Sequence, residues 1–183
     1  MAPGPILKSL EADTINKELI DTIKGFIRRN HTEALAKIFD ELQPADAADV
    51  IEHLVPDERL FIFNFLTPEG AGDVLVEIEP PVQKQVLANL DNRFLSEILQ
   101  EVDADDAADI IGNLPHGRAT DILKTLGPDL SKELEKLLQY GKDTAGGIMD
   151  LEYVSVAEDG TVEDVVKTIR EKRKKVKNLY HVW

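Results

Sequence analysis

A hydrophobic repeat of twelve residues runs without gap or insertion from His31 to Leu138, and few folds can accept it. Its closing position reads Leu42, Leu54, Leu66, Ile78, Leu90, Val102, Leu114, Leu126, Leu138. Four residues earlier stand Ile38, Val50, Ile62, Val74, Val86, Ile98, Ile110, Ile122 and Leu134; three earlier stand Phe39, Ile51, Phe63, Leu75, Leu87, Leu99, Ile111, Leu123 and then Glu135. Offsets of three and four place these side chains on one stripe of an α-helix. Proline opens many units, at Pro44, Pro56, Pro68, Pro80 and Pro128, where a first-turn N–H has no intrahelical partner to lose. Each unit is predicted to be a helix of about two to three turns followed by a corner. Helices this short are unstable alone in water. Stacked, they bury their stripes, and the expected product is a mainly α, armadillo-like superhelical array.

Composition narrows the class. With 43% hydrophobic residues against 31% charged, the chain can bury a core, which argues against global disorder. No apolar run is long enough to span a bilayer, and residues 1–30 lack the compact apolar core of a secretory signal. The absence of cysteine excludes disulfides and thiolate metal sites and suits a reducing compartment. A net charge of −14 opposes binding to nucleic-acid phosphates and favours cations, basic partners or simple solubility.

The chain divides into four parts. Residues 1–30 form a flexible start and a leading helix, with Ile15, Leu19, Ile20, Ile23 and Phe26 at helical spacing. Residues 31–139 carry the array, and 140–149 read as a linker because the helical stripe stops at Gly141. Residues 150–183 change character: Tyr153 to Val156 is predicted to be a strand, Glu158-Asp159-Gly160 a turn, Thr161 onward a capped helix, and Leu179 to Trp183 a second strand. A strand–helix–strand unit is an incomplete α/β domain, so a fragment of a longer protein is expected.

Catalytic constellations are poor. His31, His53, His116 and His181 lack paired metal-ligand spacing, the serines lack a nucleophile-elbow setting, and Gly146-Gly147 lacks the lysine of a phosphate loop. The basic run from Arg170 to Lys177 is interrupted by Glu171 and reads as a solvated face or a contact for an acidic partner. No enzyme is indicated.

Acidic residues, by contrast, keep phase with the repeat. Asp49, Asp73, Glu97, Asp109, Asp121 and Glu133 all stand five positions before a closing apolar residue, away from the stripe, and are expected to form a ridge on one surface. The densest cluster is Asp103-Ala-Asp-Asp-Ala-Ala-Asp109. Asp103 is placed to cap a helix, with Asp105 and Asp106 in its first turn. Asp105 and Asp109 are four apart and share a face, and carboxylate oxygens are what a hard ion such as Mg²⁺ takes as ligands. The cluster lacks the glycine and closing glutamate of an EF-hand loop. Residue types alone leave a polar face and a divalent-cation site both open.

The order of parts resembles a known family. An acidic short-helix array carrying Asp-Asp-Ala-Ala-Asp, then Tyr140-Gly-Lys-Asp-Thr-Ala-Gly-Gly-Ile-Met149, then Glu152-Tyr-Val-Ser-Val156, is similar to the cytosolic part of the MgtE family of magnesium transporters. The resemblance implies an N-terminal α-superhelical domain followed by the opening of the first of two CBS domains, on the cytoplasmic face of the membrane. It implies Mg²⁺ as regulatory ligand, binding between the N-terminal and CBS domains and favouring a compact state with the pore shut. By matching motifs, Asp73, Asp105 and Asp109 are the implied Mg²⁺ ligands, with a backbone-carbonyl contact from Gly147. Asp150 departs from the threonine usual in the family. The implied partners are the remaining CBS and transmembrane domains, in a homodimeric transporter. The array is also similar to the middle part of the flagellar motor-switch protein FliG, which makes an interaction scaffold the alternative; the strand-forming segment after Gln139 has no place there.

Overall fold

A computed structural model describes residues 17–141, 144–146 and 154–172. Its helices are α1 Lys17–Arg28, α2 Thr32–Glu41, α3 Pro44–Glu52, α4 Pro56–Phe63, α5 Pro68–Glu77, α6 Pro80–Asn89, α7 Asn92–Ile98, α8 Ala104–Gly112, α9 His116–Thr125, α10 Pro128–Leu137 and α11 Val162–Lys172. From α2 to α10 every helix begins twelve residues after the one before, at 32, 44, 56, 68, 80, 92, 104, 116 and 128. The repeat thus sets the helix register without a slip, and each predicted proline occupies the first position of its helix.

Local chemistry explains the corners. The leading helix ends at Asn30, whose φ of 56° suits a left-handed cap. His31 N–H then donates to Phe26 C=O at 3.0 Å and Asn30 N–H to Ile27 C=O at 3.0 Å, the paired bonds of a Schellman motif. Thr67 accepts from Gly70 N–H at 3.2 Å at the start of α5, and Asp91 accepts from Arg93 and Phe94 N–H at 2.8 and 3.3 Å at the start of α7. At α6 the cap comes from a distant helix: Glu79 N–H donates to the Glu52 carboxylate at 2.8 Å. Asp103 occupies the N-cap of α8 but makes no side-chain cap bond, so the expected capping role is not realised.

Helices pack against their next-but-one neighbours. One row runs α3, α5, α7, α9; in the other, α4 lies against α6 and α8 against α10, with α1 closing the start over α2 and α4. The structural unit is therefore a pair of repeats, and the acidic ridge expected on one surface is split. Asp49, Asp73, Glu97 and Asp121 belong to the first row, Asp109 and Glu133 to the second.

All positions four before the closing residue are buried, from Ile38 to Leu134, and so are those three before it from Phe39 to Ile111. At the closing position Leu42, Leu66 and Val102 are only half-buried. The last unit departs outright: Leu138 is exposed and Leu137 takes its place in the core, since Glu135 breaks the stripe there. Gly72 is explained by packing, because a Cβ on it would lie 2.6 Å from Val102 Cγ1 where α5 meets the end of α7.

Polar side chains pin the stack at positions the stripe does not mark. Arg59, on α4, is buried and donates to Ile51 C=O at 3.1 Å, Glu52 C=O at 3.0 Å and Gln85 Oε1 at 2.8 Å. Gln83, one pair of repeats later, donates to Leu75 C=O at 2.9 Å, the same reach of eight residues back onto the carbonyl end of the preceding helix. Arg118 reaches from α9 to the Leu87 and Leu90 carbonyls and to Asn92. These donors satisfy carbonyls left over at helix ends.

Beyond the array, Val154 is buried and makes a single β-bridge, and no strand is formed among the described residues. Thr161 caps α11 as expected, with Asp164 as its reciprocal partner: Thr161 N–H donates to the Asp164 carboxylate at 2.9 Å and Asp164 N–H to Thr161 Oγ1 at 3.3 Å. Those bonds hold the Asp164 carboxyl below its usual pKa. Among the described residues the expected α/β architecture of the CBS segment is not seen; Tyr153, which opens the first expected strand, and Leu179 to Trp183, the second, lie outside them.

Candidate functional site

The second row of helices is opened where α6 and α8 fall short of the close packing seen in α4–α6 and α8–α10. A groove of about 360 Å³ lies there, between the α5–α6 corner and the outer face of α8. Glu77, Glu79, Asp106 and Asp109 line it, over a base that includes Ile78 and Ile110. At its edge Asn113 donates to Gln83 Oε1 at 2.8 Å, tying the end of α8 to α6. Four carboxylates from two distant stretches of chain therefore share one depression.

The electrostatic consequence falls on Asp106. Burial, then the neighbouring charges of Asp105, Asp103, Asp109 and Glu77, raise its pKa from 3.8 to about 6. A carboxylate held this way gains from any cation that neutralises its surroundings. The donors are all oxygen, the chemistry that suits Mg²⁺ and disfavours softer metals. Among the described residues, however, no three His, Cys, Asp or Glu side chains stand close enough to hold a metal ion together.

The residues singled out in the sequence fall in different places. Asp109 lines the groove. Asp105 is half-buried in the first turn of α8 and acts on Asp106 through its charge. Asp73 is exposed on α5, in the other row, and is not among the groove's lining residues. Gly147 lies outside the described residues. Glu77, Glu79 and Asp106 were not singled out as site residues. Asp106 is three residues from Asp109, which puts the pair on one face, and that spacing was a usable signal. Nothing in the sequence shows that the corner holding Glu77 and Glu79 meets α8 some thirty residues later.

A two-row stack of short helices with an acidic opening on one row defines an α-superhelical repeat module. Residues 42–143 match the family described as the MgtE intracellular N domain, and the chain belongs to that family. A 51-residue segment is 39% identical to the magnesium transporter MgtE of Thermus thermophilus, covering 28% of this chain and 11% of that one, so the match spans a small part of the transporter's length. Two solved structures share the fold. A crystal structure of the cytosolic domain of the Mg²⁺ channel MgtE in complex with ATP is 28% identical, with a TM-score of 0.80 over 90% of this chain and 67% of that one. The soluble part of a magnesium transporter is 22% identical, with a TM-score of 0.74 over 91% of this chain and 66% of that one, a likeness of fold alone. No helix among the described residues is long and apolar enough to cross a membrane. The relatives are named as a transporter and a channel, not as enzymes.

Proposed function

We propose that this chain is the Mg²⁺-sensing cytosolic region of a magnesium transporter. The observation that carries the reading is the groove between α6 and α8, where Glu77, Glu79, Asp106 and Asp109 meet and Asp106 is pushed to a pKa of about 6. A surface of this kind repels a second acidic surface at low divalent ion. Mg²⁺ favours approach by binding the joined state better than the separated one, and only that difference shifts the equilibrium. In this reading Asp105 and Asp109 contribute ligands from α8, Asp73 contributes one from α5, and the backbone carbonyl of Gly147 adds a neutral oxygen. The other ligands come from the CBS segments of the parent transporter, whose conducting domain is the partner that the approach closes. Weak, partly hydrated coordination suits an ion present at high concentration.

The test on this chain is thermal unfolding in increasing MgCl₂, against NaCl at matched ionic strength. The expected result is a rise in melting temperature with Mg²⁺ beyond that with Na⁺, as for a ligand of the native state. Equal effects of the two salts would mean general screening, and would favour the interaction-scaffold reading instead.

A further inference from the structure

We propose that Tyr140 and Gly146 form a clasp across the corner after α10, an elbow in which the seated ring fixes where Gly146 lies relative to the end of the array. This inference is independent of the Mg²⁺ reading. Three observations carry it. The corner is rooted in the core: Tyr140 N–H donates to the carbonyl of Leu137 at 3.0 Å, and Leu137 is the last core side chain of α10. The chain then closes on itself, with Thr144 N–H and Thr144 Oγ1 both donating to Gly141 C=O, at 3.0 and 2.7 Å. Finally, the face of the Tyr140 ring rests on Gly146. A Cβ there would lie 2.5 Å from Tyr140 Cδ1, 2.6 Å from Cγ and 2.9 Å from Cε1.

Those ring atoms are at the near end of the side chain, so a methyl at position 146 displaces the whole ring rather than a flexible tip. The usual reason for glycine in a turn does not apply, because no described glycine has a positive φ. Glycine is needed at 146 for the ring's seat, not for the backbone's conformation. Tyr140 remains 47% exposed, so its ring lies outside the core and is free to respond to the loss of this contact. A ring seated on a glycine removes freedom from a segment that its composition would otherwise leave flexible.

The chain has no cysteine, which allows spin labels to be placed cleanly at Glu33→Cys on α2 and Ala145→Cys in the corner, both exposed positions. Pulsed dipolar distances between them, with hydrogen exchange at the Thr144 amide, read the elbow. Gly146→Ala and Tyr140→Ala are each expected to broaden the distance distribution about twofold and to speed Thr144 exchange about tenfold, as local opening does. The double variant should behave like either single one, since both remove the same contact. Tyr140→Phe should match the parent, because the ring and not the hydroxyl makes the contact. Far-UV circular dichroism and unchanged exchange in α3–α8 confirm that the array stays folded. An unchanged distribution in Gly146→Ala, additive effects in the double variant, or a Tyr140→Phe protein as loose as Tyr140→Ala would each overturn the clasp.

Discussion

Helices α8 and α11 look alike in sequence and end up in opposite situations. Both start with acidic first turns and carry apolar residues at helical spacing. On α8, Ala107, Ala108, Ile110 and Ile111 are all buried between neighbouring helices. On α11 no residue is fully buried, and Val162 is 79% exposed. A helical stripe announces a face to be covered and says nothing about what covers it. In the array the answer is supplied within the sequence, because every twelfth residue starts another helix with the same need. After the array no such repetition exists.

The comparison breaks most visibly in stability. Ile98→Ala or Ile110→Ala is expected to cost about 2–5 kcal/mol in chemical denaturation, because each truncates a fully buried side chain in close packing. The same change at Val162 is expected to alter the unfolding midpoint negligibly, as surface substitutions do. Comparable losses at both sites would mean that α11 packs onto the array after all.

A smaller effect is expected at Arg118, which lies on α9 but holds carbonyls of Leu87 and Leu90. Arg118→Ala should cost about 1–3 kcal/mol, the penalty for removing the donor from partly buried carbonyls. Arg118→Met keeps the length of the stem and tests the donor alone. If it proves as stable as the parent, packing and not hydrogen bonding is what Arg118 supplies.

These two classes of residue differ in how readable they were. The twelve-residue stripe and the prolines were enough to place each start from Thr32 to Pro128, because local propensity and long-range packing agree there. Arg59, Gln83 and Arg118 were invisible as structural donors, since their partners are backbone carbonyls with no sequence signature. The lining of the acidic groove was half legible for the same reason. Asp109 could be found from its place in the Asp-Asp-Ala-Ala-Asp run, whereas its meeting with Glu77 and Glu79 depends on which helices neighbour which. A twelve-residue period fixes where helices start but not that they pair at every second repeat, and that pairing is what moved Asp73 and Asp109 into different rows.

The smallest expected effect has the opposite sign. Folding raises the Asp106 pKa from 3.8 to about 6, so its protonated form is the one the fold favours. Its contribution is therefore full below about pH 4 and is lost as pH rises through 6. Because the carboxyl keeps contact with water, screening reduces the effect to about 1 kcal/mol. Asp106→Asn, which mimics the protonated form, should stabilise the protein at pH 7 by about that amount and flatten the stability profile between pH 4 and 7. A variant less stable than the parent at pH 7 would show that the charged carboxylate is wanted, and that the repulsion around it has been overstated.

The central claim is tested most directly in the parent transporter proposed above, with the array and the proposed CBS pair together. Limited proteolysis across a Mg²⁺ titration, at constant ionic strength, compares the parent with the double variant Asp105→Asn and Asp109→Asn. Protection in the parent should rise with Mg²⁺, and in the double variant the midpoint should move to higher Mg²⁺ by about tenfold, as loss of one or two charged ligands from a weak site implies. An unchanged titration in the double variant would remove α8 from the sensor and contradict the assignment.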